Sequence, residues 1–456
     1  MSLPPGSNKP AFLQLTQWLR DPLDYMDKAS EEFGSLFTTR IFSSEASVMI
    51  SDPKDMQTLF NHSGITAPGE KNEIARPLLG DNSVMMLSGE KHRQRRKLIM
   101  PHFQGEQMVR YTKIIQKITE QIIGQLETQK TFDVRNAMQE ITLRVILQAV
   151  FGLEEGEKLE KLRQGLVNRI EMTSQGFGSI FIFLPILRQD WGAWSPWGKV
   201  MQKQRECDAM IYEEIRKRRA NPDPERVDIL NLLLATHDED GQLLTEVELR
   251  DELMALLFAG HETTASSLTW ALYWLHKFPE YREKLTQELA QLSPSAKPME
   301  MFKLPYLTAV CNETLRIYSP AMLTLMRVLS SPVKMGEYTL DSGTSVIGSI
   351  YLTHRREDLY PQAKKFHPER FLERQYSPYE FLPFGGGHRR CIGMSLAQFE
   401  MKWVLATILQ TVQLKLVSDE PLKHTRRGAL LSPDNGFSME FVGKRSLKNS
   451  ELCLQD

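Results

Sequence analysis

The longest regular pattern in the chain runs through its middle. Thr245 and Glu248 stand three residues apart as a capping box, apolar residues continue to Leu275, and Pro279 closes the run. At 1.5 Å per residue such a helix would be a rod of roughly 45 Å. It has almost no polar stripe, so it belongs inside the molecule. Residues 35–50 alternate and are rich in Thr, Val and Ile, which predicts a strand pair. Ser51-Asp52-Pro53 opens a helix to about Phe60, residues 65–86 are irregular, and a basic helix starts at Gly89. Helical periodicity dominates 105–300, with an aromatic, Gly- and Pro-containing interruption from Gly176 to Gly198. Residues 327–353 read as strands, with turns at Gly336 and at Asp341-Ser342-Gly343. Residues 355–395 read as coil and Ser395–Gln410 as a last helix. The expected fold class is mainly α with small β-sheets.

Composition narrows the picture. With 456 residues, 41% of them apolar, the chain can bury a large core. The Pro- and charge-rich stretch Arg219–Arg226 reads as a surface loop, so a single domain over residues 1–456 is expected. A net charge of −1 without a long basic run gives no push towards nucleic acid. Cys207, Cys311, Cys391 and Cys453 lie far apart with no CxxC pair. That is neither a disulfide framework nor a zinc site, and it fits a reducing compartment. The N-terminus shows no signal peptide and no apolar stretch of about 20 residues. A soluble, cytoplasmic protein without a transmembrane anchor is expected.

The segment Phe384-Gly385-Gly386-Gly387-His388-Arg389-Arg390-Cys391-Ile392-Gly393 carries the sharpest chemistry. Successive glycines permit left-handed backbone and close approach to a ligand. Cys391 precedes a helix and is surrounded by His388, Arg389 and Arg390, conditions that favour a thiolate. In the middle of the long helix, Ala259-Gly260-His261-Glu262-Thr263-Thr264 is a polar cluster, costly there unless something uses it. Gly260 allows close approach or distortion, and Thr263 can bond a carbonyl one turn back.

The cysteine segment is similar to the haem-binding signature F-x-x-G-x-R-x-C-x-G of the cytochrome P450 superfamily at Phe384, Gly387, Arg389, Cys391 and Gly393. In order along the chain, Glu313 and Arg316 resemble the family's E-x-x-R, and Pro368-Glu369-Arg370-Phe371 its P-E-R-F. Glu-x-x-Arg recurs elsewhere in this chain, and only the downstream Arg370 singles out Glu313. The A-G-x-E-T match falls on the long helix.

The resemblance implies the P450 fold, one haem b with Cys391 as axial iron ligand, and insertion of one oxygen atom of O₂ into a substrate. Cys391, with Phe384 and Gly385 of its loop, would hold the haem, and His92, Arg96, Arg327 and Arg389 would meet its propionates. Glu262 and Thr263 would handle protons. Glu313, Arg316 and Arg370 would form a buried structural network. His92 stands where the family more often has Trp.

The resemblance extends over nearly the whole chain and leaves no room in it for a fused reductase. It therefore implies NAD(P)H-derived electrons from a separate ferredoxin or flavodoxin and its reductase. Lys91, Arg93, Arg95, Lys97, His388 and Arg390 form the candidate docking face. The substrate side would be framed by residues 83–86, 176–197, Ala255, Ala259, 321–324 and 428–431. Met85, Met86 and Met322 would be adaptable walls. These apolar positions favour a fatty acid, alkane or terpene. The pattern is nearest to soluble cyanobacterial members. The alternatives are a peroxide-using or hydroperoxide-rearranging relative and a haem sensor without turnover.

Overall fold

The computed structural model describes residues 3–42, 45–72, 75–152, 156–174, 187–237, 241–293, 296–434 and 436–445. The molecule is built around one helix, Glu246–Lys277, whose N-cap Thr245 and Glu248 form the expected capping box. Leu253, Met254, Ala255 and Trp270 point in different directions around it, and all are buried. A helix apolar on every side needs neighbours on every side, and this central helix has them. The helices Glu106–Leu126, Val134–Phe151, Pro305–Ile317 and Met394–Thr411 join it in the largest apolar cluster. Gly260 is where one neighbour comes closest: a Cβ there would lie 3.0 Å from Ile146 of the helix Val134–Phe151. The close approach that this glycine permits is therefore helix on helix.

The strands among the described residues form four sheets. The main sheet has the spatial order Leu36–Thr39, Ser47–Ile50, Ser345–Gly348, Arg327–Leu329, Ile65–Thr66. Its first pair is the antiparallel pair expected from residues 35–50. The second pair, Ser47–Ile50 with Ser345–Gly348, is parallel and joins segments remote in sequence. A three-stranded sheet and two hairpins complete the β structure. The strand expectation for 327–353 fails at its end. Ile350–His354 is a helix because the Ser349 hydroxyl accepts from Leu352 N–H and caps it.

Asp52 caps the helix Pro53–Asn61, and the basic helix runs Gly89–Ile99. Residues 355–393 are mostly irregular, with a short helix at Arg370–Glu373, and Met394–Thr411 is the last helix. No helix among the described residues is long and apolar enough to cross a membrane. Cys207 and Cys311 are buried and in no disulfide, while Cys453 lies outside the described residues.

Candidate active site around Cys391

The cysteine loop holds its shape through its glycines. Gly385 and Gly387 take φ of +65° and +64°, where a side chain would be strained. Between them, a Cβ on Gly386 would lie 2.4 Å from the Phe60 ring, so only glycine fits under that aromatic. Cys391 N–H closes the turn on the Phe384 carbonyl at 3.0 Å, and Phe384 packs against the main core. Cys391 remains accessible. Its thiol is raised above its ordinary range, first by burial; a hydrogen bond from Gly393 and the charges of Arg96 and Arg390 pull the other way without winning.

Five nitrogen-bearing side chains cluster beside the loop. His92 and His388 meet edge to face, with centroids 5.9 Å apart. Burial and the charges of Arg389, His388, Arg96 and Arg327 push His92 down to about 3. Burial and Arg389 lower Arg327 to about 10, and burial lowers Arg389 to about the same value. No ion pair links His92, Arg96 or Arg327 to a carboxylate among the described residues. Unneutralised cations that depress one another form a site for an anion. Arg389 is more committed than expected: its Nη atoms donate to the carbonyls of Val84 (2.9 Å), Ala67 (2.6 Å) and Leu87. Only its buried Nε stays without a partner.

On the central helix, Glu262 and Thr263 part company. Thr263 is half-buried and donates to the Ala259 carbonyl at 2.6 Å, while Ala259 itself is exposed in mid-helix. Glu262 turns inward. It accepts from Arg135 at 2.6 Å, Gln139 at 2.8 Å and Ser432 at 3.2 Å. Burial pushes its carboxyl up, but Arg135, His261 and Gln139 outweigh that and hold it below the usual carboxylate range. The expected acid and alcohol do not touch in this structure: adjacent helix positions diverge by about 100°, and the acid is held by partners on another helix and a hairpin.

Two other expectations change. Arg95 is buried, with ion pairs to Glu248 (2.6 Å) and Glu252 (3.4 Å), so it leaves the proposed docking face; Lys91, Arg93, Lys97, His388 and Arg390 remain exposed. Met322 is buried in the cluster that holds Trp18, Phe37 and Leu431, a different cluster from the one Met85 packs against. Met85 does pack against the cluster of Leu78, Leu79 and Ala255, as Phe258 does. Of the expected lid, residues 176–186 lie outside the described residues.

Sequence reasoning missed Arg135, Gln139 and Ser432, which stand more than 120 residues from Glu262. It also missed Asp251 and Glu252, although two acids inside an apolar helix were a readable signal. The network under the loop is as expected. Glu313 holds Arg316 at 2.7 and 2.8 Å and Arg370 at 3.2 Å, all three buried.

A mainly helical body whose glycine loop offers one accessible cysteine beside an unneutralised cationic cluster defines a haem-thiolate class of protein. The sequence profile of the family described as Cytochrome P450 matches residues 3–441. A protein of Mycobacterium tuberculosis provisionally named cytochrome P450 135B1 is 35% identical over 449 residues, covering 98% of this chain and 93% of that protein. Another from the same organism, provisionally named cytochrome P450 138, is 30% identical over 435 residues, 95% of each. The retinoic acid-bound structure of cyanobacterial CYP120A1 superposes with a TM-score of 0.85 at 27% identity, covering 97% of this chain and 100% of that one. The chain belongs to the cytochrome P450 family, whose members are haem-dependent monooxygenases. The site fits haem by its own chemistry: a soft sulfur donor for iron, cations without counter-ions for propionates, and one orphaned guanidinium nitrogen.

Proposed function

We propose that this enzyme inserts one oxygen atom of O₂ into a long lipophilic substrate, with electrons from a separate ferredoxin or flavodoxin and its reductase. The observation that carries the substrate class is the apolar wall of Leu78, Leu79, Met85, Ala255 and Phe258, which leads along the central helix to exposed Ala259. A small residue at each of two successive turns, Ala255 and Ala259, leaves room for a substrate carbon. That CYP120A1 takes retinoic acid supports an extended apolar acid as one candidate beside fatty acids, alkanes and terpenes.

Cys391 would ligate the iron, with Phe384 and Gly385 shaping its loop, and His92, Arg96, Arg327 and the Nε of Arg389 would face the propionates. When bound, the haem supplies the activation of O₂. Thr263, anchored on the Ala259 carbonyl, keeps its oxygen lone pairs for a water and can pass on that water's proton. Glu262 reaches this step only by exchanging partners, because its resting carboxylate is paired with Arg135. The exposed cations Lys91, Arg93, Lys97 and Arg390 suit an acidic electron donor. A peroxide-using relative would not need the threonine, so the presence of Thr263 favours the O₂ reading.

The carbon monoxide difference spectrum of the reduced protein tests the ligand: the far red-shifted thiolate band is expected, and Cys391→Ala should abolish it. A histidine-type band in folded wild-type protein would overturn the assignment. Spin-state titrations with dodecanoic acid, retinoic acid, a long alkane and a sesquiterpene test the substrate class. Silence from all four, beside a response to a small polar compound, would sink it.

A further inference from the structure

The loop Asp81–Leu87 is gripped from two directions, and the two grips meet on one residue. From the central helix, Asp251 accepts from both the backbone and side-chain amides of Asn82, each at 2.9 Å. Glu252 accepts from the Val84 N–H at 2.9 Å. From the cysteine loop, Arg389 donates to the Val84 carbonyl at 2.9 Å. The amide of Val84 is thus tied to the central helix and its carbonyl to the cysteine loop. Arg95 of the basic helix braces the same point, donating to the Asn82 carbonyl at 3.0 Å and to Glu252 at 3.4 Å. Gly80, at φ +76°, lies so close that a Cβ would fall 2.1 Å from Asp251 Oδ1.

Two consecutive buried acids in an apolar helix are costly unless their oxygens are used. Here one oxygen of Glu252 is used on the loop, while its other oxygen and the Ser83 hydroxyl are buried without partners. Met85, the residue after Val84, packs against the cluster of Leu78, Leu79 and Ala255.

We infer that Glu252 is a positioning residue for substrate: by holding the Val84 amide opposite Arg389, it sets where the Met85 wall stands and how tightly a long apolar chain is gripped. The inference rests on the haem-thiolate reading of the site. The charged groups facing Glu252 are Arg95 from the basic helix and Glu248 and Asp251 on its own helix. Arg250 and Asp208 stand behind Asp251. Burial raises the Glu252 carboxyl to about 7, against the pull of Arg95 and the Val84 N–H. Its charged form holds both the loop amide and Arg95, so the grip on a long chain should tighten as pH rises through about 7.

Two iron-binding probes separate grip from iron chemistry: a triazole with a dodecyl chain and one with a methyl group, neither of which titrates near neutrality. Their affinities are read from the Soret shift of the holoprotein between pH 6 and pH 8. In wild type, the ratio of dodecyl to methyl affinity should rise with pH. Glu252→Ala should lower the dodecyl affinity about tenfold, the scale of one hydrogen bond to a charged group. It should move the methyl affinity less than about twofold, as expected of a change away from the iron. Glu252→Gln keeps an acceptor for the amide, so its ratio should lie between the two and be flat with pH. Equal losses for both probes in Glu252→Ala, or a pH step that survives in Glu252→Gln, would overturn the inference. Should the alanine variant fail to take up haem, the pH profile of the glutamine variant decides alone. No Soret shift with either probe in wild type, together with a missing thiolate band, would mean that the haem-thiolate reading itself has failed.

Discussion

Two buried carboxylate–guanidinium networks differ in what they hold. Around Glu313, both arginines also grip main chain: Arg316 takes the His354 carbonyl at 2.7 Å and that of Lys365 at 3.2 Å, Arg370 takes that of Pro361 at 3.2 Å, and Glu313 accepts from His367 N–H at 2.9 Å. Around Glu262 every partner is a side chain: Arg135, Gln139 and Ser432. The first network cannot change partners without moving the backbone of residues 354–370. The second can change by rotamer jumps alone, which are far faster than backbone rearrangement. Locking suits a scaffold under the cysteine loop, whereas exchange suits a carboxylate beside the threonine proposed to handle protons.

Arg316→Ala is the strongest way to test this contrast. It leaves Glu313 buried without its bidentate partner, and should cost about 3–5 kcal/mol in denaturant unfolding and reduce haem uptake. Equal loss in Glu262→Ala would break the comparison.

Acid should weaken both regions through one buried histidine each. Burial, with Arg316 nearby, holds His354 at about 3, and burial holds His261 at about 4 against an ordinary 6.5. Both folded values lie below the unfolded one. The stability each neutral ring contributes is therefore complete above about pH 6.5 and is lost as pH falls towards 3–4, by about 1.4 kcal/mol per unit. Unfolding free energies measured from pH 7 to pH 4.5 should show this slope, and His261→Asn should reduce it by about one proton. An unchanged slope would remove His261 from the account.

Glu262→Gln keeps the shape of its network and should cost about 1–3 kcal/mol, the scale for one unsatisfied or weakened buried bond. Turnover should fall by more than haem content does. Thr263→Ala should leave stability within about 1 kcal/mol, since only the Ala259 hydrogen bond is lost. Product formed per NAD(P)H consumed should drop, and an undiminished yield would end the proton-handling role. Smallest in stability, within about 0.5 kcal/mol, is Arg93→Glu on the exposed face. It should slow reduction by an acidic donor most at low salt.

Much of the site was legible because it is local. The glycine loop, Cys391 and the capping box at Thr245 are spelled out in consecutive residues, and each needs only its own neighbours to take shape. The helix at Ile350–His354 was not legible, because a β-prone run was overridden by one capping serine. Arg95 looked like its exposed neighbours Arg93 and Lys97 until Glu248 and Glu252 of the central helix came to lie against it.

By itself, the sequence determined the helical class, the long buried helix, the cysteine loop and the family. These follow from hydrophobic period, backbone freedom and residue order, which act over a few positions. Only the tertiary structure decided which way Glu262 faces, that Arg95 is buried against two acids, and that Val84 is held from two sides. Those outcomes depend on burial and on partners brought together from distant segments, where a few ångströms decide whether a charge is paired, exposed or neutral.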